Sequence, residues 1–113
     1  MKVIVAGGRD FNNYEYLKKR LDELEIEITE IVCGEARGAD TLGKRYAIER
    51  GIPVKSFPAE WDRYGKAAGA IRNAEMGAYA DYLVAFWNQE SRGTKNMIDY
   101  MRGHHKPGCV YFY

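Results

Sequence analysis

The sequence predicts an α/β fold in which helices cover both faces of a mostly parallel, five-stranded sheet. Five short apolar segments alternate with segments whose apolar residues recur at helical spacing, and this alternation is typical of strand–helix–strand units. The chain has 113 residues, of which 46% are hydrophobic and 29% are charged. These values suit one folded domain spanning residues 1–113 and exclude an intrinsically disordered chain.

The five predicted strands differ in how apolar they are. Residues 28–34 (ITEIVCG) form the second predicted strand. Residues 2–6 (KVIVA) and 82–87 (YLVAFW) are nearly continuous apolar runs, as expected of strands that are buried on both faces. The last of these runs is the most apolar, and we expect it to be central. Residues 54–58 (VKSFP) form a shorter strand near an edge, since prolines flank it, and residues 109–113 (CVYFY) close the sheet.

The predicted helices have recognisable ends. Asn12 and Glu15 have the spacing of a capping box at the start of the first helix, and Gly51 gives the second helix its stop signal. Residues 69–80 form a helix that is rich in small residues and can therefore pack closely. The last helix ends at Gly103.

Three turns at the carboxyl ends of predicted strands combine glycine with charged or hydroxyl groups. They are GGRD at 7–10, GEARGAD at 34–40 and SRGT at 91–94. Each alone could be a tight turn or a helix cap, and Asp40 alone is best explained as the cap of the second helix. Because parallel strands end at one edge of the sheet, the three turns together predict a site for a phosphate and a ribose. The candidate residues in these turns are Gly7, Gly8, Arg9, Asp10, Gly34, Gly38, Ala39, Asp40, Ser91, Gly93 and Thr94.

Arg72 and Asn73 are two further candidates, on the helix of small residues. From the residues alone, this pair either faces solvent or faces the strand edge. Neither GxxxxGK[ST] nor GxGxxG occurs in the chain, so a Walker-type nucleotide hydrolase and a standard dinucleotide dehydrogenase are not supported. No residue is assigned a catalytic role, and we assign no metal site and no cofactor.

Charge and composition restrict the partners and the compartment. The formal net charge of +1 and the lack of a long basic run argue against a nucleic acid partner. No apolar run is long enough to span a membrane, and the N-terminus is too short in its apolar part for a signal peptide, so we expect a cytoplasmic protein. Nine Tyr, four Phe and two Trp exceed the needs of a small core. We therefore expect a homodimer, with residues 69–80 at the contact.

The order of the motifs resembles the SLOG superfamily, most closely its small stand-alone YspA-like members. The matching elements are GxxxGAD, RNxxM and SxGT, read here at residues 34–40, 72–76 and 91–94. The resemblance implies a Rossmann-like sheet with a pocket for a nucleotide or a nucleotide-derived ligand. It also implies that Arg72 and Asn73 lie beside this pocket, and that Gly93 and Thr94 belong to its phosphate loop.

The same superfamily includes the Lonely Guy phosphoribohydrolases, which carry PGGxGTxxE. The glutamate of that motif corresponds to Met97 here, and the proline and the double glycine are missing. The predicted function is therefore binding of a nucleotide or nucleotide-derived small molecule, with Trp61 as a candidate to cover the base. One alternative is a phosphoribohydrolase-like enzyme acting on nucleoside monophosphates. Another, by analogy with DNA processing protein A of the same superfamily, is a single-stranded DNA-binding protein.

Overall fold

The computed structural model describes all 113 residues and contains five strands and five α-helices. The strands are β1 (Lys2–Gly7), β2 (Glu30–Cys33), β3 (Val54–Ser56), β4 (Tyr82–Trp87) and β5 (Gly108–Phe112). The helices are α1 (Tyr14–Asp22), α2 (Ala39–Arg50), α3 (Trp61–Tyr64), α4 (Ala68–Tyr79) and α5 (Arg92–Gly103), and a 3-10 turn at Gly65–Ala67 joins α3 to α4. None of these helices combines the length and the apolar character that crossing a membrane requires.

The sheet has the strand order β3-β2-β1-β4-β5, and every neighbouring pair is parallel. This confirms the predicted fold class and the edge position of β3. The middle position belongs to β1, and the more apolar β4 lies beside it, so the prediction of a central β4 was wrong by one strand. The direction in which the chain adds strands reverses between β1 and β4, which creates a crevice at their carboxyl ends.

Alternating side chains of β1 divide the core into two layers. Val3 and Val5 belong to a buried cluster with residues of α1 and α2, whereas Ile4 and Ala6 belong to a second cluster with residues of α4 and α5. All four side chains are at most 7% exposed. Successive strand residues point to opposite faces of a sheet, so a continuous apolar run is what two helical layers require.

The helix ends follow the predictions with one correction. The N-cap of α1 is Asn13, whose Oδ1 accepts a hydrogen bond from the Tyr16 N–H at 3.1 Å, so the prediction of a capping box starting at Asn12 was wrong by one residue. Gly51 ends α2 in a left-handed conformation with φ 66°, and Gly103 is the last residue of α5. The two predicted stops are thus confirmed.

The small residues of α4 pack within the chain. A Cβ on Gly77 would lie 2.3 Å from the Tyr100 ring, so α4 and α5 approach each other as closely as they do because position 77 is glycine. The Lys106 ammonium donates hydrogen bonds to the Gly77 and Ala80 carbonyl oxygens at 2.6 and 2.8 Å and thereby satisfies the carboxyl end of α4. The expected homodimer stays a prediction.

Candidate functional site

A cleft of about 640 Å³ opens at the carboxyl ends of β1 and β4. This volume is within the range of small-molecule sites, and the location is the crevice that the strand order creates. Ten of the candidate residues from the sequence line this cleft: Gly7, Gly8, Arg9, Asp10, Asp40, Arg72, Asn73, Ser91, Gly93 and Thr94.

The turn after β4 builds the start of α5. The Asn88 side-chain oxygen accepts hydrogen bonds from the Glu90 and Ser91 N–H groups, each at 2.9 Å. Ser91 then caps the helix, because its Oγ accepts from the Thr94 N–H at 3.3 Å. The N–H groups of Arg92 and Gly93 are the first two of the helix and have no acceptor within it. A Cβ on Gly93 would meet nothing within 4 Å, so the backbone is open to a ligand at this point.

Arg72 and Asn73 connect α4 to two of the three glycine-containing turns. Asn73 is 5% exposed, and its Nδ2 donates to the Gly93 carbonyl oxygen at 3.1 Å and to the Asn96 Oδ1 at 3.0 Å. The Arg72 Nη1 donates to the Gly34 carbonyl oxygen, and its Nε donates to the Asn73 Oδ1 at 3.1 Å. The pair therefore faces the strand edge, and the solvent-facing alternative was wrong.

The turns after β1 and β2 are joined backbone to backbone. Gly38 has φ 79°, and a Cβ there would lie 2.2 Å from the Gly8 carbonyl oxygen. The same oxygen accepts a hydrogen bond from the Ala39 N–H at 3.4 Å. Gly38 and Ala39 line neither of the clefts described here. Their place in the structure is to hold the two turns together, and only a glycine fits at position 38.

Asp40 anchors the turn after β2. Its Oδ2 accepts hydrogen bonds from the Gly34 and Ala36 N–H groups at 3.1 and 3.2 Å, while the N-cap position of α2 belongs to Gly38. The interpretation of Asp40 as the helix cap was therefore wrong, because the carboxylate reaches back to the turn that precedes the helix. Asp40 is 6% exposed, and burial raises its pKa to about 6, although these two N–H groups and the nearby Arg72 oppose the shift.

A second, smaller cleft of about 290 Å³ lies beside the turn after β2. Gly34 lines this cleft, and Arg9, Trp61 and Arg72 line both clefts. The aromatic candidate Trp61 is 51% exposed. Its indole is accessible from either cleft.

Sequence reasoning missed several polar residues of the two clefts. Lys66, Asn88, Arg92 and Asn96 line the larger cleft, and Arg37 lines the smaller one. Arg92 stands inside the recognised SRGT turn, so the turn itself was a signal for it. Lys66 belongs to the 3-10 turn before α4, and no local pattern in the sequence places that turn at the cleft.

Carboxylates are few at the larger cleft, where Asp10 and Asp40 line the wall. Glu75 and Glu90, which come from α4 and from the turn after β4, are exposed and do not line it. Met97 does line it and is 1% exposed. The Met97 thioether thus occupies the position that corresponds to the glutamate of the Lonely Guy motif.

Fold and cleft together define the class of protein. It is a Rossmann-like α/β domain with a cleft at the topological switch point of a parallel sheet. Within that class, the chain belongs to the YspA, cpYpsA-related SLOG family, whose model, YAcAr, matches residues 1–64.

The chain is also similar to one phage protein in sequence and to one solved structure in fold. It is 39% identical over 74 residues to the Gene 61 protein of Mycobacterium phage D29, in a match covering 60% of this chain and 59% of the phage protein. The X-ray structure of DNA processing protein A (DprA) from Streptococcus pneumoniae superposes with a TM-score of 0.79 at 18% identity. That match covers 96% of this chain and 49% of DprA. At such low identity the likeness establishes the fold.

Proposed function

We propose that the protein binds a nucleotide or nucleotide-derived small molecule in the larger cleft. One observation carries the proposal: the open start of α5, with the N–H groups of Arg92 and Gly93 free of intrahelical partners, lies beside Arg72 in a cleft at the switch point of the sheet. Backbone N–H groups at a helix start favour a phosphate, and the helix dipole adds to the attraction.

The roles of the remaining wall follow from its chemistry. Arg72 is held by the Gly34 carbonyl and by Asn73, so its guanidinium is positioned before the ligand arrives, which lowers the entropic cost of binding. Asp10 offers a carboxylate to ribose hydroxyls, although its Oδ1 already accepts from the Tyr113 hydroxyl at 2.6 Å. Trp61 provides an exposed aromatic face on which a base can stack.

The arrangement of the carboxylates at the cleft favours binding of the ligand without cleavage. Cleavage of an N-glycosidic bond passes through an oxocarbenium-like state, which a suitably placed carboxylate stabilises. Asp10 and Asp40 are both engaged in hydrogen bonds within the chain, and Met97 has no charge. A group that acts only in the transition state can be absent while ground-state binding is kept.

A phosphoribohydrolase-like enzyme is the second candidate, and Asp40 is the observation in its favour. This carboxyl lies in the same cleft as Arg72, and burial raises its pKa to about 6, which is a range suited to proton transfer. Incubation with the four ribonucleoside 5′-monophosphates, followed by chromatography of free base, separates the two candidates. Turnover that disappears in Arg72→Ala would establish the enzyme.

The binding proposal is tested with Gly93→Val against the matched variant Gly103→Val. Both glycines are exposed, lie at opposite ends of α5 and have nothing within 4 Å of an added Cβ, so both variants should fold. We first identify by mass spectrometry the small molecules that denaturation releases from the purified protein, and then measure their affinity by calorimetry. Gly93→Val should abolish binding and Gly103→Val should retain it.

Equal affinity in the two folded variants would show that the phosphate does not bind at the start of α5. A complete lack of binding by the unchanged protein, for the released molecules and for the ribonucleoside 5′-monophosphates alike, would remove the proposed function.

A further inference from the structure

We propose that the smaller cleft is a second phosphate subsite, so that the natural ligand is a nucleotide with two separate phosphate groups. The class that fits is a nucleoside bisphosphate, with one phosphate at the start of α5 and the other beside the turn after β2. This inference rests on the proposed function, because it assumes that the first phosphate and the ribose occupy the larger cleft.

The smaller cleft is rich in arginine. Three of its nine lining residues are arginines, namely Arg9, Arg37 and Arg72. Guanidinium groups bind phosphate through paired, charge-assisted hydrogen bonds. The cleft has a volume of about 290 Å³, which is large enough for a phosphate, and its three guanidinium groups supply the charge to hold one.

None of these three arginines forms a salt bridge within the chain, although seven other basic side chains do. Glu35 lines the same cleft, but its carboxylate contacts the Lys44 ammonium at 2.8 Å. Positive charge is therefore in excess at this cleft, although the buried Asp40 carboxyl lies near Arg72, and like charges brought together in a cleft favour an anion.

The two clefts are continuous. Arg9, Ala36, Trp61 and Arg72 line both of them, so a single ligand can reach from one into the other. Arg9 follows Gly8 in the turn after β1, where the proposed function places the ribose. A phosphate on the 3′ side of that ribose can extend toward Arg37, while the 5′-phosphate extends toward Gly93.

The position of the second phosphate distinguishes this inference from a general preference for charge. A nucleoside 5′-diphosphate carries both phosphates on the same side of the ribose, whereas a 3′,5′-bisphosphate carries them on opposite sides. If the smaller cleft is the second subsite, the bisphosphate gains affinity through Arg37. If charge alone mattered, the diphosphate would gain just as much.

The experiment compares three ligand series on the full chain by calorimetry at low ionic strength, where ion pairs are least screened. The probes are the 5′-monophosphates, the 5′-diphosphates and the 3′,5′-bisphosphates of the four ribonucleosides. The variants are Arg37→Gln, whose side chain lines the smaller cleft alone, and Arg92→Gln, whose side chain lines the larger cleft alone. Arg102→Gln is the matched control, since Arg102 is exposed, has no salt bridge and lines neither cleft.

We expect a bisphosphate to bind at least about tenfold more tightly than the corresponding monophosphate, since one charge-assisted contact commonly contributes that much. Arg37→Gln should remove this advantage and leave the monophosphate affinity unchanged. Arg92→Gln should lower the affinity for both ligands, and Arg102→Gln should lower neither affinity.

Two outcomes overturn the inference, and they are distinguishable. Suppose that monophosphates bind, but that bisphosphates bind no more tightly than monophosphates, or keep their higher affinity in Arg37→Gln. The second subsite is then wrong, and the proposed function stands. If none of the three series binds to the unchanged protein, the proposed function falls, and the second subsite falls with it.

Discussion

Basic side chains are used in two different ways in this molecule. On the surface of α1 and α2, Arg50 donates to both oxygens of Asp22 at 2.7 and 2.8 Å, and Arg45 contacts Glu49 at 3.3 Å while lying 3.9 Å from the centre of the Tyr14 ring. At the two clefts, the basic side chains form no salt bridge with any carboxylate. These cleft residues are Arg9, Arg37, Lys66, Arg72 and Arg92.

The difference separates charges that are neutralised by salt bridges within the chain from charges that are not. The paired arginines hold α1 against α2, and the Tyr14 and Tyr46 hydroxyls strengthen the contact by donating to Glu49 and Asp22 at 2.6 and 2.7 Å. Five like charges around a pair of connected clefts repel one another, and of these side chains Arg72 also contacts the Gly34 carbonyl and Asn73. Under the proposed function, an anionic ligand would offset this repulsion.

Separate alanine substitutions of Arg72 and Arg50 test this contrast most directly. We expect Arg72→Ala to lower affinity for the ribonucleoside 5′-monophosphate that binds best on the order of a hundredfold, because a positioned guanidinium on a partly desolvated phosphate is costly to remove. Arg50→Ala should leave this affinity unchanged and lower the urea midpoint. Calorimetry and urea titration of both variants measure the two effects.

The contrast would be contradicted if Arg50→Ala lowered the affinity for the monophosphate as much as Arg72→Ala does. Since Arg72 also contacts the Gly34 carbonyl, Arg72→Lys serves as a second variant that keeps the charge. Partial recovery of affinity in Arg72→Lys, with the urea midpoint unchanged from Arg72→Ala, would assign the loss to the phosphate contact.

Two carboxyl groups differ in the same way, because their pKa values shift in opposite directions. Asp40, at the cleft, is buried, and burial raises its pKa to about 6. Asp22, on the paired surface, accepts from Arg50 and Tyr46, and these hydrogen bonds lower its pKa. The two groups should therefore make stability depend on pH with opposite signs.

For Asp40 the folded state holds the proton more tightly than the unfolded state. Its stabilising contribution is fully present below about pH 4 and is lost as the pH rises through about 6. Two pKa units correspond to roughly 2 to 3 kcal/mol. Asp40→Asn keeps an oxygen that can accept from the Gly34 and Ala36 N–H groups, and so it should become more stable relative to the unchanged protein by about this amount between pH 4 and pH 7. Urea titrations across this range measure the difference, and parallel curves for the two proteins would contradict it.

How much of this site could be predicted from the sequence differs between its parts. The sheet was predictable because apolar runs and helical spacing are local signals, and the open turn at Gly93 was predictable because glycine and hydroxyl residues follow an apolar strand. The position of Arg37 was not, since nothing local indicates which way the turn after β2 bends. That bend depends on Asp40 accepting from Gly34 and Ala36 and on Gly38 lying against the Gly8 carbonyl. Both contacts join residues whose proximity arises only after the sheet has formed.

The smallest expected effect concerns Asp22, and it has the opposite sign to that of Asp40. Because the folded pKa of Asp22 is lowered, its contribution is present above the unfolded pKa of about 4 and is lost as the pH falls through the folded value. Asp22→Asn should therefore destabilise the protein at pH 7 by less than about 1 kcal/mol, since the ion pair is more than one third exposed and solvent screens it. The difference should shrink progressively as the pH falls below about 4. Asp62→Asn is the control, because Asp62 is exposed and has no salt bridge, and it should not change stability over this pH range. A loss in Asp22→Asn that stayed constant as the pH fell would mean that Asp22 stabilises the α1–α2 contact by packing. The contrast between neutralised and unpaired charge would then hold for the clefts alone.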